Sequence, residues 1–241
     1  MLKIENTEVM GWEHAIRGMR NPLNSWKNSD SYFWAANSGL NEAWGIEKTA
    51  GDDIIHVHIG DKDYDRMMNL RNSGTDHRKY LRMITVYLDI TAPLYWWKEY
   101  DTYKVGTVAN SCSTMHKIDA KEFTLDDFSH EHLDSDSIYI LERVISGLND
   151  NRKQFVEFDN GDKAIQNLCG LNKKDYWWQM IQLLPSSYNQ KRTVMLNYEV
   201  LANMYKSRRN HKLDEWHTFC DWVESLPYSE LITGKVKENG M

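Results

Sequence analysis

The chain has 241 residues, a formal net charge of −6, 27% charged residues and 41% hydrophobic residues. No Pro-, Gly- or Ser-rich linker divides it, so we expect a single domain over residues 1–241. The acidic balance argues against a general nucleic-acid binder, and no apolar run is long enough to span a membrane. The N-terminal segment lacks the apolar core of a signal peptide, which favours a cytoplasmic protein.

Cysteine and aromatic residues restrict the possibilities further. Cys112, Cys169 and Cys220 are odd in number and far apart, which predicts neither a disulfide framework nor a CxxC metal site. The chain also carries ten Trp and thirteen Tyr. Flat side chains in this number build a core, a subunit interface or a stacking surface for a ring-shaped ligand, and composition alone does not choose among these.

The N-terminal third predicts short elements. Apolar spacing predicts a helix over Glu8–Met19, whereas Ser25–Gly45 has no clean period and is expected to be irregular, with some helix. Alternation over Asp53–Ile59 predicts a short strand. A helix follows, which we expect Asp61 to cap and Gly74 to end.

Two groups of histidines invite a metal hypothesis. His56 and His58 lie on one side of the predicted strand, but no third ligand is near in the sequence, so two solvent-facing histidines are favoured. The acidic stretch Asp119–Ser137 contains His130 and His132 but lacks the register of an EF-hand, so we predict a solvated loop. The sequence therefore predicts no metal site.

The clearest strand runs from Ile84 to Ile90, where apolar and polar residues alternate. Pro93 then suits the start of a helix over Leu94–Lys104, which would place Trp97, Asp101 and its last lysine on one face. The segment Val105–Thr114 is small and hydroxyl-rich, which suits either close approach of a ligand or an ordinary turn.

Three helices are predicted in the C-terminal half. Apolar periodicity indicates helices over Ile138–Leu148 and Asp175–Leu184, the second capped by Asn172. A third helical segment is expected near Glu215–Leu226.

The stretch Leu196–Trp216 is unusual because it places polar groups where a helix buries apolar ones. Leu201 and Met204 share one stripe of a helix. Asn197 and Arg208 fall on that stripe too, about 20° apart. An inward arginine needs an anion or a carboxylate, because an unpaired buried charge costs several kcal/mol. This need is met if Arg208 forms an internal ion pair or if the end of the helix emerges into solvent. It is also met if the helix forms the wall of a pocket that receives a phosphate or another anion.

Two segments resemble the flavin-dependent thymidylate synthase family, within a similarity that runs from about Ile54 to Leu226. In GTDHRKYLRMITVYLDITAP, His77 occupies the position of a histidine that contacts flavin. In LLPSSYNQKRTVMLNYEVLANMYKSRR, the Leu-Pro step precedes Asn197, Asn203 and Arg208 at the family's spacing. The resemblance implies that His77 and both asparagines bind FAD, and that Arg208 binds the dUMP substrate and helps to activate its ring.

A third segment, LYWWKEYDTYKVGTVANSCS, stands where the family has an Arg-His-Arg signature followed by Ser-rich residues. Thr102, Tyr103 and Lys104 replace the triplet, Thr114 replaces a second arginine, and Ile181 replaces one ahead of the Leu-Pro step. Lysine keeps the charge but lacks the planar fork that binds phosphate. The resemblance therefore indicates a divergent member. By position, its substrate contacts are Arg208, Lys104, Thr107, Cys112 and Glu99, and its flavin contacts are His77, Asn197, Asn203 and Tyr103.

The family resemblance also implies a fold and a reaction. The fold is α+β, with a central, mostly antiparallel sheet flanked by helices. The reaction methylates dUMP to dTMP, with methylenetetrahydrofolate as the carbon donor and FAD, reduced by NADPH, as the reductant. The family is a homotetramer with sites at subunit interfaces. This assembly suits Asn197 and Asn203, which lie about 120° apart round a helix and so contact one flavin only if it straddles the helix or a second subunit shares the site.

Two alternatives to a working enzyme stay open. The chain can be a nucleotide- or flavin-binding relative that has lost methyl transfer with its Arg-His-Arg triplet. It can also be a structural or interaction protein in which Arg208 pairs with an acid such as Glu215.

Overall fold

The computed structural model describes residues 2–35, 55–158 and 170–235. The strands of this part are β1 (Lys3–Met10), β2 (Tyr32–Ala35), β3 (Ile55–His58), β4 (Thr85–Pro93), β5 (Val108–Ser111) and β6 (Asn189–Asn197). Its α-helices are α1 (Trp12–Arg20), α2 (Asp61–Asn72), α3 (Leu94–Tyr100), α4 (Thr114–Lys117), α5 (Ser135–Glu157), α6 (Lys173–Leu183), α7 (Tyr198–Arg208), α8 (Asp214–Ser225) and α9 (Glu230–Thr233). None of these helices is both long and apolar enough to cross a membrane.

The strands form two sheets. One has four strands in the order β1-β4-β6-β5, and the other pairs β2 with β3 antiparallel, with Tyr32 opposite His58 and Trp34 opposite His56. The predicted alternation of β4 is confirmed, since Val86, Leu88 and Ile90 are buried while the residues between them are more exposed. The expected α+β class with a mostly antiparallel sheet is confirmed as well.

The chain divides into two compact units. The first unit comprises Met1–Glu5, Asp89–Thr102 and Ala109–Val194, and the second comprises Asn6–Leu88, Tyr103–Val108 and Met195–Met241. The first has a core in which α5 and α6 bury Ile118, Phe123, Phe128, Leu141, Ile145, Leu148 and Met180. In the second, Trp12 packs edge-on against Tyr198, with ring centroids 5.3 Å apart. That the chain forms one domain stays a prediction.

The N-terminal predictions need two corrections. Residues 8–10 belong to β1 rather than to the first helix, because Gly11 turns the chain with a φ of 92° before α1 begins. A Cβ at Gly11 would lie 2.0 Å from the carbonyl oxygen of Met83, so only glycine fits there. Tyr32–Ala35 forms β2 rather than irregular structure, and residues 36–54 lie outside the described residues.

The start of α2 also differs from the prediction. The strand before it is confirmed as Ile55–His58, but the N-cap of α2 is Gly60 and not Asp61. Asp30 supplies the capping carboxylate from a distant part of the chain, accepting the backbone N–H of Lys62 at 2.9 Å and of Asp63 at 3.1 Å. A cap of this kind has no local sequence signal.

The helix predicted over Leu94–Lys104 ends at Tyr100. Thr102 stops it, because its backbone N–H donates to the carbonyl of Glu99 at 3.2 Å and its hydroxyl to the same oxygen at 2.7 Å. Lys104 is therefore not on a helix face with Trp97. The segment Val105–Thr114 is more than a turn, since β5 lies within it and α4 begins at its last residue.

The stretch Leu196–Trp216 contains three elements rather than one helix. It begins at the end of β6, continues through α7 and ends in the first turn of α8. Asn197 precedes α7 as its N-cap and does not lie within it. The helices predicted at Asp175–Leu184, with its Asn172 cap, and at Glu215–Leu226 are confirmed within two residues, and the Ile138–Leu148 helix is confirmed inside the longer α5.

Candidate functional site

Arg208 lies at the end of α7, half-buried between two aromatic residues. Its Nε donates a hydrogen bond to the Tyr103 hydroxyl at 2.9 Å. The guanidinium carbon lies 4.9 Å from the ring centroid of Trp216 and 5.5 Å from that of Tyr103. Trp216 is completely buried, so one side of this arrangement is rigid. Hydrogen bond and cation–π contacts together fix the orientation of the planar fork.

The turn over Tyr103–Val108 carries three predicted site residues and contacts both ends of α7. The Thr107 hydroxyl donates to the carbonyl of Tyr103, which closes the turn. Gly106 has a φ of 80°, and a Cβ there would lie 3.0 Å from Val200 and 3.1 Å from the Asn197 amide nitrogen. Lys104 is exposed in this turn. The turn thus places Tyr103 against Arg208 at the end of α7 and Gly106 against Asn197 at its start.

Asn197 has a structural task at this position. Its Oδ1 accepts the backbone N–H of Val200 at 3.0 Å, and its Nδ2 donates to the carbonyl of Gly106 at 3.5 Å. The residue is 9% exposed. Its amide therefore caps α7 and contacts the turn, whether or not it also contacts a ligand.

Asn203 and His77, the other predicted flavin contacts, are both exposed. Arg78, the neighbour of His77, donates through Nη2 to Asn203 Oδ1 at 3.0 Å. Its Nε donates to Glu199 Oε1 at 3.1 Å and lies 2.9 Å from Oε2. The described structure thus links the segment that carries His77 to the helix that carries Asn203.

Glu99 and Cys112 lie in the first unit, while the other predicted site residues lie in the second. Glu99 is half-buried on α3, and Cys112 is exposed just after β5. The Cys112 backbone N–H donates to the Lys191 carbonyl at 2.9 Å, and its own carbonyl accepts from Gln190 Nε2 at 3.1 Å. The Cys112 thiol plays no part in these bonds.

The histidines considered as metal ligands are placed by ring stacking. His58 stacks on Tyr32 with centroids 4.7 Å apart, and His56 stacks on Trp34 at 5.3 Å. Both imidazoles therefore lie on one face of the small sheet, as the alternation predicts. Within residues 2–35, 55–158 and 170–235, no three His, Cys, Asp or Glu residues are grouped so as to hold a metal ion.

Sequence reasoning missed Arg78, Glu199 and Trp216. Arg78 stands beside His77 in the quoted glycine-histidine segment, and Glu199 stands four residues before Asn203, which puts both α7 residues on one helix face. That spacing was the available signal for a shared partner. Nothing in the sequence signals that Trp216, from the next helix, packs against Arg208.

Comparisons with known proteins give a fold and no closer relationship. No protein-family model matches the chain, and no curated protein matches it. Among solved structures the shared fold is that of flavin-dependent thymidylate synthases.

Three of these structures illustrate the likeness. Two are of the flavin-dependent thymidylate synthase ThyX from Helicobacter pylori with FAD and dUMP, and each is 13% identical to this chain. Their TM-scores are 0.59 and 0.60, and the matches cover 98% and 99% of this chain and 100% of the ThyX chain. The third is the UMP/dUMP methylase PolB from Streptomyces cacaoi bound with 5-Br dUMP, 10% identical, with a TM-score of 0.53, covering 97% of this chain and 95% of that chain.

Proposed function

We propose that this protein is a flavin-dependent thymidylate synthase that methylates dUMP to dTMP. The observation that supports the proposal is that α7 carries Asn203 and Arg208 and that Arg78, the neighbour of His77, bonds to Asn203, on a chain with the ThyX fold. In the proposed reaction methylenetetrahydrofolate supplies the carbon, NADPH is the source of electrons, and a homotetramer forms the sites.

The residues round α7 fit FAD by the chemistry of their donors. Arg78 occupies the amide oxygen of the exposed Asn203, so the amide –NH2 lies on the other side of the planar group. The exposed imidazole of His77 is carried by the adjoining segment. Ring carbonyls and ring nitrogens are acceptors that such donors bind. When bound, FAD supplies the reducing equivalents, because that chemistry belongs to the cofactor.

Arg208 is proposed to bind and polarise the nucleotide. A guanidinium fork makes two parallel hydrogen bonds to a phosphate or to a carbonyl and ring nitrogen, and it acts best when its orientation is set in advance. Tyr103 and Trp216 set that orientation. Lys104 is proposed to contact the substrate phosphate as an exposed point charge, and Thr107 to add a hydroxyl from the same turn.

A second candidate is a nucleotide- and flavin-binding relative without methyl transfer. The replacement of Arg-His-Arg by Thr102, Tyr103 and Lys104 favours it, because two cationic or imidazole side chains are lost from one turn. A third, in which Arg208 has a purely structural role, predicts no nucleotide binding at all.

Arg208→Ala and Arg208→Lys test the proposal, with dUMP binding and melting temperature measured on the same samples. Arg208→Ala should weaken dUMP binding by about 2–5 kcal/mol with little change in melting. Arg208→Lys should weaken it less, because it keeps the charge and loses the fork. Arg209→Ala is the matched control, since its guanidinium bonds to Asp221 instead.

The structural role predicts a different result. Removing a buried arginine from a carboxylate partner costs about 3–5 kcal/mol of folding stability. A wild-type protein that binds no dUMP, together with a large loss of melting temperature in Arg208→Ala, would refute the proposed function.

A further inference from the structure

Arg78 bridges two parts of the proposed flavin site from a 3-10 helix over Arg78–Met83. Its guanidinium contacts two residues one helical turn apart on α7, the carboxylate of Glu199 and the amide oxygen of Asn203. The side chain of Arg78 is 16% exposed and that of Glu199 is 7% exposed. Since a buried carboxylate needs its cation, Glu199 holds Arg78 in one place.

The contact with Asn203 determines which way the amide faces. A side-chain amide has an acceptor end and a donor end, and either fits an unrestrained exposed position. Nη2 of Arg78 has only hydrogens to offer, so it selects the oxygen, at 3.0 Å. The donor end of the exposed Asn203 is thereby directed to the other side. The –NH2 group of Asn203 can therefore donate to an acceptor atom of a ligand.

The same arginine also positions His77. The backbone N–H groups of His77 and Arg78 both donate to the carbonyl of Gly74, at 3.2 and 3.1 Å, so the two residues share one tight turn. Attaching Arg78 to α7 therefore limits how far His77 can move from Asn203. Arg78 acts on two predicted flavin contacts at once without needing to touch the flavin.

We infer that Arg78 is a positioning residue of the proposed flavin site, fixing the Asn203 amide to present its N–H donors to a carbonyl or ring-nitrogen acceptor of the bound ring. The inference rests on the proposed function, because it requires that a flavin bind beside α7. Glu199 is the counterion that keeps Arg78 in position.

Arg78→Lys tests the inference without leaving Glu199 unpaired. Lysine keeps a positive charge for the carboxylate but, as a single ammonium, cannot bond Glu199 and Asn203 with a fork. We would measure FAD dissociation constants by fluorescence quenching and melting temperatures for the wild type, Arg78→Lys, Asn203→Ala and the double variant. Lys79→Ala, one residue further along and exposed, is the matched control.

The expected result is a loss of FAD affinity of about tenfold in Arg78→Lys, with the melting temperature and Lys79→Ala unchanged. The double variant should bind FAD no more weakly than Asn203→Ala alone, because Arg78→Lys keeps the Glu199 contact that attaches the His77 segment to α7 and loses only the bond to Asn203. Losses that add in the double variant, or normal FAD binding by Arg78→Lys, would overturn the inference and leave the proposed function standing. A wild-type protein that binds no FAD would overturn both.

Discussion

The hydroxyl of Tyr103 accepts a hydrogen bond from the Nε of Arg208. Tyr103 stands at the position of the histidine in the Arg-His-Arg signature of flavin-dependent thymidylate synthases. Tyr103→Phe keeps the ring and its cation–π contact but removes this acceptor. Because a hydrogen bond to a charged group contributes about 1.5–3 kcal/mol, dUMP affinity should fall at least tenfold while the fold is kept. Titration of dUMP into wild type and variant measures the difference.

Tyr87→Phe is the control for that variant. Tyr87 is 40% exposed on β4, so loss of its hydroxyl should leave dUMP affinity unchanged. Equal affinities for wild type and Tyr103→Phe would mean that the hydroxyl does not position Arg208 for the nucleotide.

For individual residues, the sequence predicted which side chain is unusual better than it predicted the contacts that this side chain makes. The sequence predicts Arg208 as a site residue because an inward arginine needs a partner, and the structure places it half-buried against Trp216. The aromatic contact could not be predicted, because it joins two helices through tertiary packing. For Asn197 the motif predicted a ligand contact, but its position in the motif did not reveal that its amide caps a helix. The ligand roles of all these residues stay predictions.

At the start of α7, Asn197 is both the N-cap of the helix and a predicted flavin contact. One substitution can distinguish these two roles. Asn197→Asp keeps an oxygen for the Val200 N–H and adds a charge that suits a helix N-terminus, and this gain should offset the cost of placing an oxygen against the Gly106 carbonyl. It loses the –NH2 that donates to Gly106 and that would donate to a ligand. We expect an unchanged melting temperature and weaker FAD binding.

The same exchange at Asn172, the N-cap of α6, is the control. Asn172 accepts the backbone N–H groups of Lys174 and Asp175, so Asn172→Asp preserves that cap too. It should change neither stability nor FAD affinity. If Asn197→Asp bound FAD as tightly as the wild type, the residue would be a cap alone.

An ion pair between α1 and α2 gives the second unit a measurable pH dependence. Arg20 Nε lies 2.6 Å from Asp63 Oδ1, with the side chains 4% and 0% exposed. Burial acts to raise the pKa of Asp63. Hydrogen bonds from Ser29 and Ser31 and the contact with Arg20 lower this pKa by more than burial raises it, so it lies below its usual value. A depressed carboxyl pKa stabilises the fold above the unfolded value, about 3.9.

Stability should therefore fall as the pH drops below about 4, where the Asp63 carboxyl binds a proton in the unfolded state but not yet in the folded state, and this contribution is lost once the pH falls below the depressed folded pKa. Asp63→Asn should cost about 3–5 kcal/mol at pH 7, because it leaves Arg20 buried without its carboxylate. The variant should also lose less stability than the wild type between neutral and acid pH. Urea unfolding at a series of pH values measures both effects, and parallel curves for wild type and variant would contradict the assignment.

Asp221→Asn controls for a general charge effect. Asp221 pairs with Arg209 on the surface, and its side chain is 66% exposed. Exposed ion pairs contribute about 0–1 kcal/mol, so this variant should unfold almost like the wild type.

Elements with a strong local pattern were predicted, and elements stabilised from a distance were not. The alternation of β4 and the capped helix α6 were both visible in the sequence. Strand β6 was not, because its polar residues are neutralised by partners elsewhere: Lys191 lies 3.1 Å from Asp89, and Arg192 lies 2.8 Å from Asp101 and stacks on Trp97. A pattern read along one strand cannot include those partners.

For the whole molecule, the fold class could be predicted because three short motifs in a fixed order indicated it, although no family model matches the chain. The assembly remains a prediction. The aromatic excess favours sites shared between subunits, whereas the angle expected between Asn197 and Asn203 no longer bears on this point, because Asn197 precedes α7 as its N-cap. We therefore expect the FAD-bound protein to sediment as an oligomer, and a monomer that holds stoichiometric FAD would contradict this.

Under the proposed function, the chain methylates dUMP although Thr102, Tyr103 and Lys104 replace the Arg-His-Arg signature. The most direct measurement incubates the purified protein with FAD, NADPH, methylenetetrahydrofolate and dUMP, and quantifies dTMP by mass spectrometry, with Arg208→Ala in parallel. We predict that the wild type forms dTMP and that Arg208→Ala does not. A wild-type protein that binds FAD and dUMP but forms no dTMP would contradict it.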